Sequence, residues 1–567
     1  MVSPSWITKK AKGTSFPASF DYLPRMVKQL LLQKGDWDEE SLEAFLNPKL
    51  KHLSDPFLLG EMEECVARIF RAISEKEQIT LYGDYDVDGI TSVTLMSKVL
   101  EAYGVVSTQF IPLRSAEGYG LTTSAITRCF KENPDTSLLI VMDCGTSSVE
   151  EISAIRALGV DVIVIDHHES NSGVRPAVEA IVNPKACFTP TKQGDFSYLC
   201  AAGVVFKVCH ALMKRQRLEL ELKDLLDYVA IATVADIVPL VGENRILVRH
   251  GLKVLSQTNK PGLIALKEVS GVGEIIEAYD VGFKIGPRIN AAGRMDSPLE
   301  ALEALTTDCS NSAERLVDRL NSLNQDRQAY EKRIQHEALE MVESRGLDRH
   351  HCLIIGKQGW HAGVVGIVAS RIMRKFYKPT FVIAFDEEGT GKGSGRSING
   401  ISLVDAIQCG REFLTAGGGH HAAAGISLEE KNLKGFQKAL NHYFDTETTE
   451  EERAPRIEIN GEVGFEELSF SFMELYQKLK PFGSNNAQPV FMSRGVMNAR
   501  PPRELKNSHM KLHLMQNGCE QEAMFFSGAT YPLPPEPWDI CYTVDKNFFR
   551  GRVSLQLTIQ QVRASKS

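Results

Sequence analysis

At 567 residues the chain is too long for one hydrophobic core, and roughly three or four domains are expected. Hydrophobic residues at 43% and charged residues at 24% are the composition of a soluble globular protein. A net charge of −8 excludes a global bias toward nucleic acid, so any such site must be a local basic patch. The eleven cysteines include no CxxC pair, the closest being Cys200 and Cys209, which argues against a disulfide framework or zinc knuckle. The opening MVSPSWITKKAKG lacks an apolar signal core, and no apolar run approaches the roughly 18 residues of a membrane span. A cytoplasmic protein without membrane contact is expected.

Residues 1–75 read as a helical lead-in with a proline-marked break near Pro48 and Pro56. Gln78 to Tyr82 predicts a buried strand, and Thr91 to Tyr103, with Val93, Leu95, Met96, Val99 and Leu100, predicts a helix. Between them LYGDYDVDGITS places Asp84, Asp86 and Asp88 on a strand-to-helix turn. Ionised neighbours about 4 Å apart repel by roughly 4 kcal/mol at an effective dielectric of 20, so the turn calls for a hard cation unless it is simply a solvated acidic loop. An EF-hand is disfavoured, because Leu95 stands where its glutamate should.

Leu138–Met142 is a further strand, ending at Asp143, and Val160–Ile165 another, ending at Asp166-His167-His168. A helix between them runs from about Val149 to Leu158, with Glu150 and Glu151 at its positive end. Asp236 follows the apolar helix YVAIATVA. This alternation predicts an α/β fold, a doubly wound parallel sheet over 76–300, whose neighbouring strand ends converge on one crevice. Asn311 to Ser344 lacks Gly and Pro and reads as one long connecting helix within 301–345, or as a hairpin broken near Asn321–Asn324. CLIIG and TFVIAF begin a second α/β domain over 346–445. From 455 to 567 short alternating runs suggest an oligonucleotide-binding β-barrel, with a generic β-sandwich as the alternative.

Carboxylates with one or two imidazoles suit Mn²⁺ or Mg²⁺, and the imidazole tilts the choice toward Mn²⁺. Two such ions sharing a carboxylate could clamp a phosphoryl group and activate water, which makes phosphoester hydrolysis the natural reaction. Taken singly each residue has a plainer use. Asp143 could cap a helix at Thr146 or Ser147, His167 and His168 could form an exposed turn, and Asp236 could be an N-cap.

GDYDVDG, DCG, DHH and ADIVPL, in this order, resemble the DHH phosphoesterase superfamily, and GGGHHAAAG (417–425) resembles its DHH-associated second domain. FIPLRSAEGYGL, GPRINAAGRM, GKGSGRSI and PFGSNNAQPVF extend the resemblance, over nearly the whole chain, to the single-strand-specific exonucleases of that superfamily. The resemblance implies metal ligands at Asp86, Asp88, Asp143, His167 and Asp236, with Asp143 as bridge. It also implies catalytic support from Asp84, Asp166 and His168, with Asp166 orienting an imidazole. Tyr82 stands where many relatives carry a histidine, which puts the first metal's occupancy in doubt.

Candidate phosphate and DNA contacts are Arg114, Arg288, Asn290, Arg294, Ser394, Arg396, Ser397, His420 and His421, read as lying in Gly- or Pro-marked loops, with GKGSGRS as an anion nest. The plain alternative for each arginine is a surface ion pair. The C-terminal part is locally basic: Arg494, Arg500, Arg503, Lys506 and Lys511 oppose Glu504 alone, and Phe548 and Arg550 are placed to stack and bind a strand unless the ring is core. The implied reaction is hydrolysis of single-stranded DNA from the 5′ end to mononucleotides, in repair and recombination. The implied partners are that strand, a helicase and a single-strand-binding protein, and a monomer is expected. The competing readings are a short-oligonucleotide or cyclic-dinucleotide phosphodiesterase and a non-catalytic strand-binding scaffold.

Overall fold

The computed structural model describes residues 4–114, 116–170, 173–186, 196–505, 508–549 and 552–565. The chain forms two compact units, one holding Ser54–Val238 and His250–Pro455, the other Pro4–Leu53, Pro239–Arg249 and Arg456–Ser567. The helical lead-in divides between them at Leu53/Ser54, within the break marked by Pro48 and Pro56. It opens with a strand, β1 (Ser5–Thr8), before the helices α1 (Arg25–Leu32) and α2 (Glu39–Leu46). Both helices bury an apolar stripe, Met26, Val27, Leu30 and Leu31 on α1 and Leu42 and Leu46 on α2, in the core of the C-terminal domain.

The first unit begins with α3 (Met62–Glu75) and then alternates strand and helix. Strands β2 (Ile79–Gly83), β3 (Thr108–Phe110), β4 (Leu138–Met142), β5 (Asp161–Ile165) and β6 (Ala180–Val182) form one sheet in the order β3-β2-β4-β5-β6. Every pairing in it is parallel. Strands β2 and β4 are buried along their whole length, as continuous apolar runs covered on both faces must be. One face packs Tyr82, Val141 and Val164 against Ile126, Ile152 and Ile155 of the crossover helices. On the other, α4 (Val87–Ala102) lies so close that a Cβ on Gly83 would meet Val93 at 2.5 Å. Helices α5 (Ala201–Arg215) and α6 (Leu226–Ala235) pack on α4.

Helix α7 (Gly286–Met295) precedes α8 (Ser310–Ser344), one unbroken 35-residue helix. The hairpin alternative falls away because the buried stripe Ala313, Val317, Leu320, Leu323, Ile334, Ala338 and Val342 runs straight through Asn321–Asn324. Where that stripe turns polar, buried Glu331 accepts from Arg327 and, at 2.8 Å, from Arg371, while Asn324 accepts from Arg327 at 2.8 Å.

Strand β7 (Leu353–Gln358), helix α9 (Val365–Phe376), and strands β8 (Thr380–Phe385), β9 (Thr390–Arg396), β10 (Ala416–Gly419) and β11 (Ala423–Glu429) follow. The sheet order is β10-β11-β9-β8-β7, parallel only between β7 and β8. GKGSGR is thus a strand and not an anion nest. Its glycines are explained by the partner strand: Gly391, Gly393 and Gly395 lie opposite Phe385, Ile383 and Phe381, whose side chains would stand 2.4–2.7 Å from any Cβ there.

In the second unit β1 pairs in parallel with β12 (Arg456–Ile459). Strands β13 (Gly461–Glu462), β14 (Phe491–Leu505), β15 (His509–Gln516), β16 (Cys519–Phe525), β17 (Trp538–Phe549) and β18 (Arg552–Ala564) follow. The run β14-β15-β16-β18-β17 closes through β14–β17, so the domain is a barrel and not a sandwich. Among the described residues no helix is long and apolar enough to cross a membrane.

Gly395→Ala is expected to cost about 1–3 kcal/mol by overpacking against Phe381, read as a lowered melting temperature. Gly418→Ala, where nothing lies within 4 Å of the new Cβ, should leave it nearly unchanged.

Candidate active site

Three neighbouring strands end level with one another, since Gly83 pairs with Met142 and Met142 with Ile165. The residues that follow are Asp84, Asp143 and Asp166, so the carboxyl edge of the sheet carries an acid at each of three adjacent positions. Asp143 sits at φ +63°, a left-handed conformation that aspartate tolerates better than most residues, and its N–H still bonds the Ile165 carbonyl at 3.1 Å. The turn after β2 is held by close backbone approach. A Cβ on Gly89 would lie 2.3–2.7 Å from Asp84 backbone atoms, and one on Gly293 of α7 would lie 2.6 Å from the Tyr85 carbonyl. Asn290, expected on DNA, instead accepts from the Val87 N–H at 3.2 Å and braces this turn.

Asp86 caps α4, its Oδ1 accepting from the N–H groups of Asp88 (2.9 Å) and Gly89 (3.3 Å). Asp88 accepts from Ala201 N–H (2.7 Å) and Ala202 N–H (2.8 Å), the first amides of α5. Asp236 ends α6, and the next residue, the exposed Ile237, is forced to φ +61°, a genuine outlier for a β-branched side chain. That turn leaves the Asp236 Oδ2 3.7 Å from His167 Nε2. The same imidazole nitrogen lies 3.4 Å from Asp143 Oδ1 and 3.8 Å from Asp88 Oδ2.

The cluster falls into groups with ligand atoms within 4.8 Å of one another: Asp84 with Asp86 and Asp143, Asp88 with His167 and Asp236, and Asp143 with His167 and His168. Its electrostatics are those of a site short of positive charge. Burial, and then the neighbouring carboxylates, push Asp88 up to about 6 and Asp236 up to about 8, and raise Asp84 and Asp143 well above the carboxylate range. Burial and the nearby His168 push His167 down to about 3, so its ring is neutral with one nitrogen lone pair to give. His167 Nε2 and Asp84 Oδ1 are both buried without a hydrogen-bond partner. Unpaired buried atoms beside crowded acids are what a divalent cation would satisfy.

Asp166 plays a different part. Burial opposes its ionisation, but hydrogen bonds from His168 Nδ1 (2.8 Å) and Thr146 Oγ1 (2.6 Å) hold it below the usual carboxylate range. The imidazole it orients is His168, and the pairing outweighs burial to push that ring up to about 9. Two residues were not foreseen. Thr146 binds Asp166 and makes no cap for Asp143, and Asn183, directly after β6, donates to Thr146 Oγ1 (2.7 Å) and the His168 carbonyl (2.8 Å). Asn183 obeys the strand-end rule, but β6 has only three residues and gives little periodicity. Tyr82 is no ligand: it is buried, stacks on Phe110 and donates its hydroxyl to the Gly120 carbonyl at 2.8 Å.

The arginines are not on loops as expected, apart from Arg114. Arg288 and Arg294 lie on α7, and Arg396 ends β9. Arg288 is occupied structurally, donating to Asn321 (3.0 Å) and to the carbonyls of Lys284 (2.7 Å) and Val269 (3.1 Å). Of the other three, Arg114 and Arg294 lie within electrostatic reach of one another, and Arg396 lies against α9. Arg114 stacks over Tyr85, 5.1 Å from its ring centre, and Arg294 donates to the Gly363 carbonyl at 3.1 Å. Burial and Arg114 push Arg294 down to about 10. Arg396 donates to Ser394 Oγ at 2.8 Å, and a Cβ on Gly366 of α9 would lie 3.1 Å from its Nη2. Among the described residues none of the three has a carboxylate within ion-pair distance. Buried Ser397 Oγ has no partner. His420 and His421 stand exposed on the β10–β11 turn.

The basic stretch of the barrel is largely neutralised by acids across the sheet. Arg494 pairs with Glu462 (3.1 Å), Arg500 with Glu520 (3.2 Å) and Lys511 with Glu522 (3.0 Å). Arg550, Lys506 and the Phe548 side chain lie outside the described residues.

Three family profiles match in order along the chain: DHH family, N-terminal domain, over 78–233; DHHA1 domain over 350–446; and RecJ OB domain over 459–561. The single-stranded-DNA-specific exonuclease RecJ of Bacillus subtilis is 38% identical over 555 residues, covering 96% of this chain and 69% of that one. The protein of the same name from Escherichia coli is 31% identical, covering 95% and 96%. The crystal structure of RecJ in complex with Mn²⁺ from Thermus thermophilus matches with a TM-score of 0.82 at 26% identity, covering 98% of this chain and 80% of that one. With three domains in register and relatives matched almost end to end, the chain belongs to the RecJ family of the DHH superfamily.

Proposed function

We propose that the protein is a divalent-metal-dependent exonuclease that hydrolyses single-stranded DNA from the 5′ end to mononucleotides, in repair and recombination. The observation that carries this reading is the gathering of Asp84, Asp86, Asp88, Asp143, His167 and Asp236, from four separate chain segments, into adjoining ligand groups, with Asp88, Asp143 and Asp236 within 3.8 Å of one unpaired imidazole nitrogen. Asp86, Asp88, Asp143, His167 and Asp236 would hold two cations, with Asp143 common to both sides, and the imidazole favours Mn²⁺ over Mg²⁺. When bound, such cations polarise the phosphodiester and acidify the attacking water.

The chain's own groups do the rest. His168 is paired through Nδ1 with Asp166, and its Nε2 lies 3.1 Å from the Tyr119 hydroxyl, so the ring is held for a contact with the phosphate. Arg114, Arg294 and Arg396, with Ser394 and Ser397, form a rigid anion site suited to a terminal phosphate, which supports 5′-to-3′ polarity. The closed barrel favours a long strand over a dinucleotide, which needs no further binding domain. The intact acid cluster counts against a non-catalytic scaffold.

Asp143→Ala should abolish Mn²⁺-dependent degradation of a labelled single strand; activity equal to wild type would refute metal-assisted hydrolysis. Arg396→Ala should lose more activity on 5′-phosphorylated than on 5′-hydroxyl oligomers, and equal losses would reject it as an end reader. A third expectation concerns pH. Above pH 6.5 the unfolded state holds almost no proton on Asp236, whereas the native metal-free protein keeps one there to about pH 8. Metal-free stability should therefore fall from pH 6.5 to 8, by about 1.4 kcal/mol per pH unit for each proton retained. Mn²⁺ replaces the carboxylate protons, so the rise in melting temperature on adding Mn²⁺ should grow across the same interval.

A further inference from the structure

Beside Arg114 and Arg294 lies a histidine that neither the metal cluster nor the arginines use. His361 precedes α9, and its Nδ1 accepts the Gly363 N–H at 3.1 Å. A backbone amide can only donate, so Nδ1 carries no proton, and the neutral ring must carry its hydrogen on Nε2. Burial and the Arg114 charge hold the ring below its ordinary pKa, so it is neutral at pH 7. Among the described residues Nε2 has no hydrogen-bond partner.

The ring is held in place on two sides. Tyr330 of α8 packs against it with ring centres 5.5 Å apart, and Tyr330 is itself covered by the Arg333 guanidinium at 5.1 Å. Gly363 is confined between them and α7: a Cβ there would lie 2.9 Å from His361 Cε1 and 2.7 Å from the Arg294 carbonyl. The Gly363 carbonyl in turn accepts from Arg294 Nη1 at 3.1 Å. One glycine thus fixes both the tautomer of His361 and the guanidinium of Arg294. A donor oriented this closely beside Arg114 and Arg294, two cations without a carboxylate partner, has the makings of an anion contact.

We propose that His361 Nε2–H is a further donor to the terminal phosphate of the strand, with Tyr330 as the residue that positions its ring. The ligand class is a nucleoside 5′-phosphate ester, and the inference rests on the reading of the arginine group as the 5′-phosphate site.

The test uses the full-length enzyme with Mn²⁺ and one oligodeoxynucleotide sequence bearing either a 5′-phosphate or a 5′-hydroxyl. His361→Leu should raise KM about tenfold on the phosphorylated end, the range for a hydrogen bond to a charged group, with kcat and the hydroxyl end changed less than about twofold. His361→Gln, whose amide nitrogen reaches the Nε2 position, should restore most of that KM. His361→Asn, whose amide falls short of it, should not, and it stands in if the leucine variant does not fold. Equal losses on both ends, or no rescue by glutamine, would overturn the assignment. Arg396→Ala separates the two levels. If it too leaves the end preference intact, the 5′-phosphate site itself is wrong; if it abolishes the preference while His361→Leu does not, only the role of His361 fails.

Discussion

The structure is organised around an electrostatic conflict. Several carboxylates are packed, largely away from water, around one neutral imidazole, and each raises the cost of ionising the next. Such a cluster is unfavourable in an empty protein, and the surrounding fold is built to impose it. Strand ends fix three acids in a row, the amino end of α5 takes the Asp88 carboxylate, and two left-handed residues, Asp143 and Ile237, bend the backbone where ordinary turns would point the side chains elsewhere. Local strain and repulsion are held by a sheet buried on both faces, and a cation relieves them.

Opposite in sign, the arginine group follows the same logic. Arg114, Arg294 and Arg396 come from a turn, a helix and a strand end, and nothing acidic pairs with them among the described residues. The long helix α8 links the catalytic and DHH-associated parts of the first unit, with buried Glu331 joining Arg327 on α8 to Arg371 on α9. The loop before α9 supplies the carbonyl that Arg294 uses. Two arrays that repel themselves, one anionic and one cationic, are therefore carried by one contiguous scaffold.

Much of this was legible in the sequence because Asp84, Asp143 and Asp166 each follow a continuous apolar strand whose end is plain. What was not legible has local causes. GPRINAAGRM looks like a loop, with two glycines and a proline, yet it is helix α7: the proline sits in its first turn and Gly293 is there so that the backbone can approach Tyr85. GKGSGR looks like a nest for the same compositional reason. The basic residues of 494–511 stand out in linear sequence, whereas charge is balanced across strands, by Glu462, Glu520 and Glu522. Asn183 and the pairing of β1 with β12 depend on contacts distant in sequence that no local pattern records.

The alternation in β9 reaches beyond packing. Its glycines face the rings of β8, so the strand has one bare side and one side bearing Lys392, Ser394 and Arg396. Because side chains alternate strictly, a slip of a single residue would drive those three polar groups into Phe381 and Phe385. Mispairing is therefore penalised by the very rings that the glycines accommodate, and the strand acts as a ratchet with one permitted tooth. The side on which Ser394 and Arg396 emerge is decided by residues that never touch a substrate.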